Sequence, residues 1–284
     1  MSVKEQLKSY ILSKSISSEE RKLGIEVECF IFDKNNNRIA VNRGSSFSAS
    51  DLLKELESSS NGNYSLEPGG QIEWSSPPSY RLKDIERDLL EYKDSLDKIL
   101  NREGFKSLYI GVDPFNNPRE IDLIAQKKYL LMNDNMDKKG SLGKWMMRNT
   151  CSIQINYDII DEPDLEELTF ILDCIHPVTS YLFSNSPFIE KKPNGNLNLR
   201  NHIWENTDSD RCRSLVDHGI FKLKDLLELY LEFALQVPSI FKLDDDFNIQ
   251  SSQSALGDDL KSRFDKGLLR PEDIQAALHQ IFTN

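Results

Sequence analysis

Gly24-Ile25-Glu26-Val27-Glu28 lies in a stretch, 23–33, that reads as a β-strand, and Leu66-Glu67-Pro68-Gly69-Gly70-Gln71-Ile72-Glu73 reads as a hairpin. Side chains two apart on a strand share a face, so Glu26 and Glu28 point one way while Ile25, Val27 and Cys29 point the other. A three-residue loop over Gly69 to Gln71 sets Glu67 opposite Glu73, and four carboxylates then converge on one sheet face. Two like charges ~4 Å apart repel by about 4 kcal/mol at an effective dielectric near ~20, so such a cluster calls for a positive charge. Its oxygen-only donors suit Mg2+ or Mn2+, which keep open positions for water and substrate phosphates. The competing reading is a solvated, acidic strand edge.

Outward from these segments, apolar residues at 82, 85, 89, 92, 96 and 99 form a helical stripe over 82–100. Pro163 starts a second helix with Leu165, Leu168, Leu172, Ile175 and Leu182 on one face, and Pro177 is expected to kink or end it. Further helices are expected over 51–57, 121–136, 222–237 and 271–282, and further strands over 64–75, 108–112 and 151–157. In the last strand Ser152, Gln154 and Asn156 alternate with Ile153, Ile155 and Tyr157, giving the sheet a polar face and an apolar one. The run Lys34-Asn35-Asn36-Asn37 reads as a turn between strands. Strands with helices to one side predict an α+β fold, a mainly antiparallel sheet with a polar active-site face and helices packed on the other side.

Composition excludes several classes. Among 284 residues, 38% are apolar and 29% charged, which describes a globular chain with ample length for a core. No apolar run reaches the ~18 residues of a membrane span, and Met1-Ser2-Val3-Lys4-Glu5 lacks the features of a signal peptide, so a cytoplasmic protein is expected. A net charge of −11 argues against nucleic-acid or anionic-membrane partners and for small-molecule substrates. Cys29, Cys151, Cys174 and Cys212 are too widely spaced for a zinc site or disulfide framework. Gly140-Ser141-Leu142-Gly143-Lys144 is too short for a phosphate-binding P-loop, and no G-x-G-x-x-G, G-x-S-x-G or H-E-x-x-H occurs.

The ordered motifs resemble the glutamate-cysteine ligase family, in its plant and bacterial branch, which is related to glutamine synthetase. The stretches that carry the resemblance are the two carboxylate segments, Gly140-Ser141-Leu142-Gly143 leading to Met146-Met147-Arg148-Asn149-Thr150, and Cys151-Ser152-Ile153-Gln154-Ile155-Asn156. They continue with Phe183-Ser184-Asn185-Ser186-Pro187, Lys192-Pro193-Asn194-Gly195, Arg200-Asn201-His202-Ile203-Trp204 and Asp208-Ser209-Asp210-Arg211. The resemblance implies a glutamine synthetase-like catalytic domain in which ATP phosphorylates the side-chain carboxylate of glutamate and the cysteine amine attacks the acyl phosphate. The alternatives are another amine acceptor, or a truncated, non-catalytic binding protein.

On this resemblance Glu26, Glu28, Glu67 and Glu73 hold magnesium ions that bridge ATP phosphates. Arg148, Arg200 and Arg211 are read either as catalytic anion-recognition groups or as ion pairs, since guanidinium matches carboxylate and phosphate alike. Thr150, Gln154, Asn156, Arg200 and Trp204 are substrate-binding candidates, against a structural network for the first three. His202 is read as a packing residue before a general base, Cys151 as a buried thiol, and Trp74 and Trp145 as wall or core residues. Because the family pattern runs on into a further strand bearing arginine and glutamate, residues 1–284 are expected to form a single catalytic domain incomplete at its C-terminal end. Its sheet edge is then expected to self-associate or to take up a partner that supplies the missing strand.

Overall fold

A computed structural model describes residues 2–44, 46–59 and 62–281. Its sheet is built on β1 (Leu23–Asp33), which pairs antiparallel with three strands. The half carrying the glutamates lies between β3 (Ile72–Ser75) and β5 (Ile153–Tyr157), and the remainder pairs with β4 (Phe105–Leu108). On the far side of β3 lies β2 (Asn63–Leu66). The fold is therefore α+β with an antiparallel sheet, as the strand pattern predicts.

The odd-numbered side chains of β1 set the layer beneath. Val27, Cys29 and Ile31, with Ile72 and Trp74 of β3, pack on Leu52 and Leu56 of α2 (Ala49–Ser59) and on Tyr92, Leu96 and Leu100 of α3 (Leu82–Glu103). Trp74 stacks on Tyr92 at 5.3 Å, which makes this tryptophan core. Gly104 ends α3 in the left-handed region (φ 79°), where its amide donates to the Leu100 carbonyl. On the opposite face, beyond the glutamates, Phe30 and Phe32 are covered by Cys151, Ile110 and Phe115.

The helices form two more cores. One joins α1 (Val3–Leu12), α8 (Leu226–Gln236), α9 (Leu256–Phe264) and α10 (Pro271–Leu278) through Leu7, Leu231, Leu260 and Ile274. The other packs α4 (Lys127–Lys139), α5 (Gly143–Asn149), α7 (Leu199–Glu205) and the hairpin β8–β9 (Phe241–Leu243, Ile249–Ser251) around Met136, Met147, Ile203 and Phe241, with Trp145 against it. A short hairpin, β6 (Phe188–Ile189) and β7 (Lys192–Pro193), precedes α7.

Several boundaries differ from expectation. In α6 (Glu162–Leu182) Pro163 lies in the first turn as read, with Asp161 as the cap, but Pro177 neither ends the helix nor shortens it. The Ile121–Met136 helix begins only at Lys127, because Pro118–Glu120 is a 3-10 turn and 121–126 is irregular. The 108–112 strand shrinks to β4 plus a bridge between Val112 and Thr150. The last helix stops at Leu278, and Phe282 lies outside the described residues. The apolar face of β5 is not covered: Ile153 and Ile155 are 71% and 52% exposed, and β5 hydrogen-bonds only to β1 among the described residues. Helix α6 likewise leaves Ile175, Val178, Tyr181 and Leu182 in solvent. Among the described residues no helix is long and apolar enough to cross a membrane.

Candidate active site

Backbone pairing decides where each carboxylate goes. Glu28 stands directly opposite Glu73 across β1 and β3, so the two share a face. The hairpin register pairs Ser65, not Glu67, with Glu73, correcting the three-residue loop. Leu66 pairs with Ile72, and the loop between them spans Glu67–Gln71, closed by the Gly70 amide donating to the Glu67 carbonyl and the Glu67 amide to the Gln71 carbonyl. Gly70 takes φ 77°, a left-handed conformation that glycine enters without a Cβ penalty.

All four glutamates are half-buried, and three are bonded by neutral donors. Ser152 donates to Glu28 through its amide (3.1 Å) and hydroxyl (2.8 Å). Ser65 donates to Glu73 at 2.6 Å, and the Asn156 amide donates to Glu26 at 2.9 Å. Burial pushes Glu67 up to about 8, with Glu28 and Glu73 adding repulsion. Burial also raises Glu28 to about 7, and there Arg200 and the Ser152 hydrogen bonds pull the other way against Glu73. Glu73 is raised by burial as well, with Glu26 contributing. The four thus form one acidic patch. They do not form a finished cage: among the described residues no three acidic, histidine or cysteine side chains stand together as metal ligands. Full convergence is corrected to this extent, because Asn156 and Ser152 draw Glu26 and Glu28 toward β5 and the longer loop displaces Glu67 from the ladder.

The strand β5 carries its polar residues to this patch: Gln154 opposes Glu26 and donates to Asn156 at 3.1 Å. Both remain exposed and accessible. Arg200, near the start of α7, lies over the Trp204 ring at 5.3 Å, and its charge reaches Glu28. Its Nε is buried without a hydrogen-bond partner among the described residues. Arg148, at the end of α5, is also short of partners at Nε and Nη1. It lines a cleft of about 790 Å³ with Arg119, Lys144, Asn42 and Asn133. Burial lowers both guanidinium pKa values, the expected sign for cations held away from water with unspent donors.

Other candidates resolve differently. Thr150 is buried, donates to the Met146 carbonyl at 2.7 Å and accepts Gln71 Nε2 at its own carbonyl at 2.9 Å, so it ties α5 to the hairpin loop. Arg211 is fully buried and spends its donors on Asp208, Gln280 and Pro238, which makes it a structural clamp instead of an open anion ligand. Cys151 is buried with its thiol pushed well up by desolvation, while His202 is exposed on α7 beside Asn206. Gly140 packs so tightly on the Thr207 carbonyl that a Cβ would lie 2.0 Å from it, a helix-packing contact and not a phosphate loop. Sequence reading missed Arg38 and Asp113, because an arginine after an Asn-rich turn looks solvated. In the fold both side chains are almost completely buried.

Residues 22–273 match the family model described as glutamate-cysteine ligase family 2 (GCS2). Among curated proteins, the chloroplastic glutamate-cysteine ligase of Brassica juncea is 32% identical over 251 residues, covering 84% of this chain and 48% of the relative. The chloroplastic glutamate-cysteine ligase of Nicotiana tabacum matches to the same extent. That of Arabidopsis thaliana is 36% identical over 177 residues, covering 62% of this chain and 34% of the relative. The chain spans about half the length of the first two relatives.

Proposed function

The chain belongs to the glutamate-cysteine ligase family, and on that premise we propose that its sheet is the framework of a glutamine synthetase-like ligase site acting on ATP, glutamate and cysteine. In that reaction an oxygen of the glutamate side-chain carboxylate attacks the γ-phosphorus of ATP and ADP leaves. The cysteine amine then attacks the acyl carbon of γ-glutamyl phosphate, phosphate departs, and the amine gives up a proton. The observation that carries this reading is geometric: half-buried Glu28 and Glu73 face each other across β1 and β3, and the charge of Arg200, whose Nε has no hydrogen-bond partner among the described residues, reaches Glu28. An anionic substrate group would take that donor, and the Arg148, Arg119 and Lys144 cleft offers a second place for phosphate or carboxylate.

The glutamates fit Mg2+ or Mn2+ chemically: their donors are hard oxygens, and a cation offsets both the burial that chiefly raises Glu28 and Glu67 and the added repulsion among the carboxylates. Glu26, Glu28, Glu67 and Glu73 are the residues that would hold it. When bound, the cation neutralises charge on the transferring phosphoryl group. Gln154 and Asn156, exposed beside Glu26, orient the amino and carboxyl groups of glutamate. The reading is tested by incubating the chain with ATP, Mg2+ and glutamate, with and without cysteine, and measuring ADP and product. ADP that depends on both amino acids is the expected result. ADP indifferent to cysteine points to another amine acceptor, and ligand binding without ADP points to a non-catalytic binding protein.

The exposed apolar residues of β5, which pairs only with β1 among the described residues, favour a further element. Ile153 and Ile155 on one free strand edge, with no charged residue from 151 to 157 to guard it, make a surface of the kind that takes up a strand. We propose that a strand of a second copy of the chain pairs with this edge. Raising the concentration of the chain should give a larger species by sedimentation and raise ADP formation per chain. Unchanged sedimentation and rate would overturn this.

A further inference from the structure

Arg38 follows the turn after β1, where Phe32 bridges to it and the Ile39 amide donates to the Ile31 carbonyl. Its side chain is 2% exposed, and the guanidinium joins three separate segments. Nη2 donates to the Gly69 carbonyl at 2.8 Å, and Nη1 donates to the Arg148 carbonyl at 3.2 Å and to Asp113 Oδ2 at 3.3 Å. The plane of the group lies over the Phe30 ring at 4.6 Å. Asp113 is itself held from behind, accepting from the amides of Phe115 and Asn116 at 2.8 and 3.1 Å and from the Asn116 side chain. The position of the guanidinium is thus fixed before it touches the loop or α5.

Gly69 is two residues beyond Glu67 in a loop closed on the Glu67 carbonyl, and Arg148 is the cleft-lining cation. The two backbones abut: a Cβ on Gly69 would lie 2.6 Å from the Arg148 Cα. One rigid fork reaching both carbonyls therefore sets how far the acidic patch stands from the cleft. A lysine ammonium, a point donor on a flexible stem, does not span both carbonyls and the carboxylate in that plane. We propose that Arg38, anchored by Asp113, is a positioning residue that fixes Glu67 relative to Arg148 and so sets the cation-binding geometry of the patch. The cation half of this inference rests on the metal reading above; the strut itself does not.

The test has two arms. Arg38→Lys should speed amide hydrogen exchange in 66–71 and 146–150 at least tenfold over any change elsewhere, and should weaken Mn2+ binding, followed by electron paramagnetic resonance, about tenfold. Leu260→Ala in the separate helical core should lower thermal stability yet leave the Mn2+ affinity of the folded chain unchanged. A merely structural Arg38 would behave as Leu260→Ala does, and that result overturns the proposal. If Arg38→Lys does not fold, Asp113→Asn keeps the guanidinium but loosens its anchor and should shift exchange and affinity in the same direction. A wild-type chain that binds no Mn2+ refutes the metal reading and the cation half together, and exchange in the two segments then decides the strut.

Discussion

Glutamine in place of Glu67 weakens Mn2+ binding at least about a hundredfold, since even an outer-sphere partner of a metal commonly costs ten- to a hundredfold, and it flattens the pH dependence of the metal-free fold. The second effect follows from the raised pKa. Glu67 titrates at about 8 in the fold, driven by burial and by Glu28 and Glu73, and Glu28 at about 7. In the unfolded chain a glutamate titrates near ~4.3. Between these values the folded chain holds protons that the unfolded chain has released, so stability is full below about pH 4.3 and declines as pH rises toward 8. Glutamine carries no proton to lose, and its share of the decline disappears. Mn2+ competes with the same protons, so wild-type affinity climbs from pH 6 to 8, by up to about tenfold per unit for each proton displaced. Thermal unfolding at pH 5, 7 and 8.5, in chelator and in Mn2+, reads both effects. A Glu67→Gln chain with wild-type affinity and the wild-type pH slope removes Glu67 from the site.

The same patch shows where sequence is informative and where it stops. The bounds of β1, the length of α3 and the start of α6 are legible because each rests on a local signal: a run of strand-forming residues, an apolar stripe, Pro163 in the first turn. That Glu28 and Glu73 share a face agrees with the expected gathering of carboxylates, although parity within each strand does not by itself fix which residues of two strands oppose. The hairpin register is not legible, because the choice between a three- and a five-residue loop depends on Gln71, whose side chain donates to Thr150 across the molecule. The bare apolar face of β5 escapes for a related reason. Alternation declares that Ile153 and Ile155 want cover, and nothing local says whether cover comes from this chain. Arg38 is the clearest loss: its role depends on Asp113 and two carbonyls 31 and 110 residues away.

Arg211 separates the two readings left open for it, anion ligand or ion pair. Replacing it by methionine lowers stability by about 3–5 kcal/mol, the cost of leaving one partner of a buried ion pair alone. Both Arg211 and Asp208 are fully buried, and their bond is 2.8 Å long. The guanidinium also holds the Gln280 carbonyl at the end of α10 and the Pro238 carbonyl before β8, so its loss unties the two helical cores at their junction. Asp208 accepts from Asn135 as well, which partly compensates it but does not supply a charge. Arg211→Met with Asp208→Asn should therefore recover part of the loss, because the uncompensated carboxylate goes with its partner. Urea unfolding measures both, and Mn2+ affinity of the folded fraction should stay within twofold of wild type. A methionine variant that keeps its stability within about 1 kcal/mol while losing ATP or glutamate binding would return Arg211 to the substrate site.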